Sequence, residues 1–268
     1  MGAHFQRWIT GIVAVPALFC LIYFGNEDVF SVLILLAALA GIHEYGAIAF
    51  GPGRIQEKGE IFFFGTMILF AAVAGEPAFL LAVVTLSILG VFMFDLLRVR
   101  KQPFDTETTA KIVLGLAYVP LLISHFIFLR QEEQGMQWIF FVLMLAFSGD
   151  IAAFYIGRKF GSRKLLPSVS PGKTVEGILG LVAGSLAGCL LFRWLFFPSL
   201  SMMHAAVLAV VGSVIGQLGD LSESAIKRSA GVKDSGTILP GHGGILDRLD
   251  CLLFIVPFVY YYQRFVIA

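Results

Sequence analysis

The sequence predicts an all-α polytopic membrane protein of about nine transmembrane helices, with the N-terminus cytoplasmic and the C-terminus outside. Three observations predict it. Of 268 residues, 58% are hydrophobic and only 14% charged, well outside the usual composition of a soluble domain. Apolar runs of membrane-crossing length recur along the whole chain. The basic residues gather in alternate segments between those runs. A soluble protein with so large a core would need long stretches of charged surface to cover it, and the chain has none.

The runs that suit a hydrocarbon layer of about 30 Å, roughly 20 residues each, fall at about 8–24, 30–50, 61–74, 78–97, 112–129, 137–157, 177–197, 204–220 and 249–265. The third is only about four helical turns long, so eight full spans with a re-entrant segment is the alternative. The first follows a short basic start, as in a signal peptide. No small-residue cleavage site ends it, and it reads as the first span.

Placing the N-terminus inside gives the inner segments Arg7; Arg54 and Lys58; Arg98, Arg100, Lys101 and Lys111; Arg158, Lys159, Arg163, Lys164 and Lys173; and Lys227, Arg228, Lys233 and Arg248. Of the 19 Lys and Arg, only Arg130, Arg193 and Arg264 then fall outside or near outer ends. The outer turns carry Glu27, Asp28, Glu76, Glu132 and Glu133. Residues 158–173 and 224–250 therefore face the cytoplasm. No loop is long enough for a soluble domain, and the chain is read as one membrane unit with an N-terminal scaffold, 1–136, and a catalytic region, 137–268. Cys20, Cys189 and Cys251 lie far apart in apolar runs without a CxxC pair, and read as small buried residues.

Chemistry concentrates in two inner-face segments. In 224–250, four basic residues (Lys227, Arg228, Lys233, Arg248), the acids Asp234, Asp247 and Asp250, and His242 stand among glycines between two apolar runs. Charges beside hydrocarbon are costly unless paired, metal-bound or hydrated. Asp220 closes the preceding span. Asp247 and Asp250, three apart at the start of the last helix, can point the same way. Three carboxylates at two helix ends form an oxygen-rich site for Mg²⁺, with a solvated helix end as the alternative. Gly243 and Gly244 let the backbone approach a phosphate. His242 reads as a hydrogen-bond donor to phosphate rather than an acid or base.

The second segment runs from 148 to 177. Asp150 lies two turns before Arg158, roughly 12 Å deeper, where an acid is functional unless it serves a helix–helix ion pair. Ser168, Ser170, Pro171, Gly172, Lys173 and Thr174 form a hydroxyl-rich turn before a helix, a setting that suits phosphate as well as it suits a plain helix entry. It is not a Walker loop, because the glycine spacing is wrong and no strand precedes it. Within the second span, His43 and Glu44 are read mainly as helix-packing residues, and Asp95 as the local ion-pair partner of Arg98.

Ser224, Lys227, Arg228, Lys233, Asp234, Leu239, Pro240, Gly241, His242, Gly243, Gly244, Asp247, Arg248 and Asp250 reproduce SxxKRxxxxKDxxxxLPGHGGxxDRxD. This closely resembles the signature of the phosphatidate cytidylyltransferase (CDP-diacylglycerol synthase) family. Asp150, Arg158, Gly161, Ser170, Pro171, Lys173, Thr174, Glu176 and Gly177 look like the same family's second motif region, although Gly172 stands where the family often has another lysine.

The resemblance implies that CTP and phosphatidic acid give CDP-diacylglycerol and pyrophosphate at the cytoplasmic face of a bacterial inner membrane. It implies Mg²⁺, with K⁺ as a candidate second cation, and a homodimer whose contacts and lipid access involve the scaffold. No nucleic-acid partner is expected. Asp220, Asp247 and Asp250 are the expected metal ligands. Lys227, Arg228, Lys233, Asp234, His242 and Arg248 complete the expected catalytic set. Asp150, Ser170, Lys173, Thr174, Ser224, Gly243 and Gly244 are expected at the substrates. A CTP-dependent polyprenol or lipid kinase is the nearest rival and would release CDP. A transporter would use Glu44 and Asp150 for ion coupling and would not need the polar run at 224–250.

Overall fold

The computed structural model describes residues 3–99, 103–238, 241 and 243–267. The chain is an α-helical polytopic membrane protein. Among the described residues, six helical segments are long and apolar enough to cross a membrane: Glu27–Phe50, Pro77–Arg98, Thr106–Gln131, Gly135–Phe160, Val175–Phe196 and Met202–Ser229. The expected runs at 8–24, 61–74 and 249–265 are largely helical too. Near the ends of the chain, the described apolar stretches Ala14–Phe24 and Leu252–Ile267 are shorter. Helix Ile55–Val73 opens with Glu57, Lys58 and Glu60 and is not among the six.

The chain forms two compact units. The first comprises Met1–Gln131 together with Asp234–Asp247. It therefore ends five residues short of the expected scaffold, and it reclaims part of the polar segment assigned by sequence to the C-terminal region. Its helices are α1 (Ala3–Phe24), α2 (Glu27–Phe50), α3 (Ile55–Val73), α4 (Pro77–Arg98), α5 (Thr106–Leu116) and α6 (Leu122–Gln131). Their starts follow from local chemistry. The Asn26 side chain accepts a hydrogen bond from Val29 N at 2.9 Å, Pro77 opens α4, and Asp105 accepts from Thr108 N at 3.2 Å. Pro120, which lacks an N–H, lies in the π-helical turn Ala117–Leu121 that joins α5 to α6. Side chains on α2, α3 and α5 interlock closely: a Cβ on Gly115 would stand 2.4 Å from the Tyr45 ring, and one on Gly65 would stand 2.8 Å from Ile42. Tyr45 is buried there and donates its hydroxyl to Lys111 O at 2.9 Å. As expected, Arg98 pairs with Asp95 (2.9 Å); it also pairs with Glu60, while Thr109 donates to Asp95 at 2.6 Å.

The second unit comprises Glu132–Lys233 and Arg248–Ala268. It contains α7 (Gly135–Phe160), the strands β1 (Lys164–Leu166) and β2 (Ser170–Thr174), α8 (Val175–Phe196), α9 (Met202–Ser229) and α11 (Leu252–Tyr262). The four-residue α10 (Leu246–Leu249) spans the boundary between the units. Small residues bring α7 and α8 together. Gly180, Gly184 and Gly188 recur every fourth residue, and a Cβ on Gly184 would stand 2.4 Å from the Ala152 Cβ. From the other helix, Gly149 admits the Ser185 hydroxyl, which donates to Leu145 O at 2.8 Å.

Four local expectations are corrected. The turn before α8 is an antiparallel hairpin, with Lys164 opposite Thr174 and Leu166 opposite Ser170, so the fold is not strictly all-α. Helix α9 does not stop near 220 but continues to Ser229, because Glu223 and Lys227 pair one turn apart and carry the helix onward. The last helix is not continuous from 249. Asp250 turns back to accept Cys251 N at 2.7 Å, and α11 begins only at Leu252. Cys20, expected to be buried, is exposed on α1, whereas Cys189 is buried and Cys251 half-buried.

Candidate active site

In the second unit, the chemistry gathers around a cavity of about 650 Å³ lined by Asp150, Arg158, Lys164, Lys173, Gln217 and Asp220 among others. Each wall has a sequence cause. Asp150 is carried on α7, whose close contact with α8 is set by the small residues above. Lys173 is on β2, one residue before Thr174, whose hydroxyl accepts Gly177 N at 3.1 Å and starts α8. Thr174 thus caps the helix and also lines the cavity. Ser162 and Arg163, before β1, donate backbone N–H groups to Glu176, which holds the hairpin's base to the first turn of α8.

Lys173 donates to Asp220 Oδ2 on α9. Gly219, next to Asp220, lets Asp250 come close: a Cβ there would stand 2.6 Å from the Asp250 carbonyl oxygen. Asp150, Asp220, Asp250 and Lys173 lie within electrostatic reach of one another. Three carboxylates thus interact with Lys173, while Arg158 and Lys164 line the same cavity. Among the described residues no group of three or more His, Cys, Asp or Glu side chains is arranged to hold a metal by itself. Mg²⁺ characteristically takes only one or two protein carboxylates and fills its remaining positions with phosphate oxygens and water. At Gly219 the segments that carry Asp220 and Asp250 meet, so these two would be the carboxylates to supply.

The other expected residues of this unit are placed as follows. Lys227 is buried and paired with Glu223, a carboxylate that the sequence reading did not single out. Arg228 donates from Nη1 to Val232 O at 3.1 Å, tying down the turn after α9. Ser224 is half-buried on α9, Ser170 half-buried on β2, and Lys233 exposed. Arg248 is exposed.

In the first unit, the loop between 234 and 247 is organised by two acids. Glu44, 2% exposed on α2, accepts hydrogen bonds from Ser235 Oγ (3.0 Å), Ile245 N (2.9 Å) and Leu246 N (2.9 Å). Asp247 Oδ2 accepts from Ser235 N (2.9 Å) and Gly244 N (2.8 Å), and Asp247 N returns a bond to Ser235 Oγ at 3.3 Å. The close approach expected of Gly243 and Gly244 is therefore made to carboxylates. A Cβ on Gly243 would stand 2.6 Å from Asp247 Oδ2, and one on Gly244 would stand 2.5 Å from Glu44 Oε2. Gly243 also takes φ +82, which favours glycine. Asp234 is exposed; His242, Leu239 and Pro240 lie outside the described residues. Glu44 is the residue that sequence reasoning placed in packing. Its signal was an acid inside an apolar run, and its adjacent His43 is exposed.

The family model described as "Cytidylyltransferase family" matches residues 5–266. A Bacillus subtilis protein named phosphatidate cytidylyltransferase is 41% identical over 162 residues, which is 60% of each chain. Proteins of the same name from Staphylococcus epidermidis and Staphylococcus aureus are each 32% identical, over 94% of this chain and 95% of theirs. A match that runs through both units, and so takes in the lysine–aspartate cavity as well as the glycine-rich loop, places this chain in the cytidylyltransferase family.

Proposed function

We propose that the protein transfers the cytidylyl group of CTP to phosphatidate, giving CDP-diacylglycerol and pyrophosphate. The observation that carries the reading is the cavity where Lys173 meets Asp220 beside Asp150 and Asp250, in a chain of this family. The reaction joins two polyanions. A phosphate oxygen of phosphatidate attacks the α-phosphorus of CTP, and the bond from that phosphorus to the β-phosphate bridging oxygen breaks. The attacking oxygen already carries negative charge near neutral pH, so the site's task is neutralisation and alignment rather than proton removal.

Lys173, Arg158 and Lys164 line the cavity and supply positive charge to the phosphates. Asp220 and Asp250 are the proposed holders of Mg²⁺, with Asp247 a third candidate on its sequence spacing from Asp250 and K⁺ a candidate second cation. When bound, Mg²⁺ neutralises phosphate oxygens and stabilises the departing pyrophosphate. Asp150 keeps Lys173 and the cation centre in place from the α7 side.

The proposed setting is a bacterial inner membrane, with about nine spans, the N-terminus inside and the site on the cytoplasmic face, where CTP is available. The distribution of Lys and Arg supports that orientation. A homodimer is proposed from the family resemblance. The test is product analysis with purified protein, CTP labelled at the α-phosphorus, phosphatidate and Mg²⁺. The expected products are lipid-linked cytidine and pyrophosphate, whereas release of CDP with a phosphorylated lipid would establish a kinase instead.

A further inference from the structure

Four consecutive backbone amides, from residues 244 to 247, lead into α10, and all four donate to side chains. Gly244 N serves Asp247, Ile245 N and Leu246 N serve Glu44, and Asp247 N serves Ser235. A glycine-rich turn into a helix is the usual place for a phosphate, but here a phosphate would have to displace a carboxylate. Glu44 comes from more than 190 residues earlier in the chain and is 2% exposed. A charge buried so deeply is tolerable only when several donors converge on it, and three do. The surrounding glycines fit the carboxylate: a Cβ on Gly236 would stand 2.6 Å from Glu44 Oε1, and one on Gly244 would stand 2.5 Å from Glu44 Oε2.

We propose that Glu44 is a positioning residue for the reaction. Its carboxylate occupies the amides at the start of α10 in place of a substrate phosphate, and by holding Ser235, Ile245 and Leu246 it sets where Asp247 stands. The function of the loop in catalysis rests on the cytidylyltransferase reading; the clamp itself does not. Glu44→Gln preserves volume but turns one acceptor into a donor. The new amide group must then face either Ile245 N–H or the paired donors of Leu246 and Ser235. A residue needed only for packing tolerates that change, whereas a clamp does not.

The experiment measures kcat, KM for CTP and KM for phosphatidate of the full chain in lipid, per folded molecule. The proteins are wild type, Glu44→Gln, Ser235→Ala and the double variant, with hydrogen exchange at Ile245 and Leu246 read alongside. The clamp predicts that Glu44→Gln lowers kcat at least about 30-fold with both KM values within about threefold, because alignment rather than affinity is lost. The double variant falls within about threefold of Glu44→Gln, because both changes remove one network. The two amides exchange at least about tenfold faster. Retained kcat within twofold, multiplicative losses in the double variant, or unchanged exchange would each overturn the proposal. If Glu44→Gln does not fold, Ser235→Ala alone is held to the same kcat, KM and exchange pattern. If wild type makes no lipid-linked cytidine, the reaction is wrong, and amide exchange still decides the clamp.

Discussion

Lys173 on strand β2 donates its ammonium to Asp220 on helix α9, joining two elements 47 residues apart in the chain. Each is only partly exposed, at 21% and 29% of its side chain. The pair is accessible enough to exchange partners when phosphates arrive, and sheltered enough for charge to act strongly.

Removing either partner therefore tests the centre. Asp220→Asn is expected to lower turnover by about 10²-fold or more with an unchanged melting profile, and Lys173→Met by about 10²–10³-fold, the range for loss of one charge-stabilising donor. Measurement of kcat together with thermal unfolding in lipid checks both. Near-normal turnover in Asp220→Asn would remove Asp220 from the proposed metal set.

The α7–α8 contact should be intolerant of bulk. Gly184→Val places a side chain where a Cβ already stands 2.4 Å from Ala152 Cβ and 2.7 Å from Ser148 O. Overpacking of this kind costs about 1–3 kcal/mol. The unfolding midpoint should drop and activity should fall with it, since the same contact holds Asp150. Gly172→Ala, whose Cβ meets nothing within 4 Å, is the control and should leave the midpoint in place.

Thr174 separates structure from substrate contact. Its hydroxyl caps α8, so Thr174→Ala should cost about 0.5–2 kcal/mol, while Thr174→Ser, which keeps the oxygen, should restore stability. Activity should follow the cap in both variants. A large kcat loss in Thr174→Ser with normal stability would instead point to a direct role of the threonine at substrate.

Topology is testable from opposite ends of the proposed orientation. In sealed right-side-out vesicles, a membrane-impermeant maleimide should label Glu76→Cys above the native-cysteine background. Lys233→Cys should react only after the vesicles are opened. The reverse pattern would place the glycine-rich loop on the outside.

The apolar runs made most helices legible, because a span announces itself through length and composition alone. The pairing of Asp95 with Arg98 was legible for a similar reason, being one turn apart on one helix. What the sequence hid depended on distant partners. Nothing near Glu44 indicates that Ser235, Ile245 and Leu246 will close around it. The hairpin at 164–174 was missed because Ser170, Pro171 and Gly172 are turn formers rather than strand formers, and pairing with β1 overrides that preference. The extension of α9 was missed because its last turns are polar; the Glu223–Lys227 pair supports them without an apolar signal.

Cytidylyl transfer to phosphatidate is measured by the labelled-CTP assay on the purified protein in lipid with Mg²⁺. The α-phosphorus label is expected in CDP-diacylglycerol, with one pyrophosphate released per lipid, and Asp220→Asn is expected to abolish most of both. Label that stays in CDP, or a lipid fraction without cytidine, would contradict it.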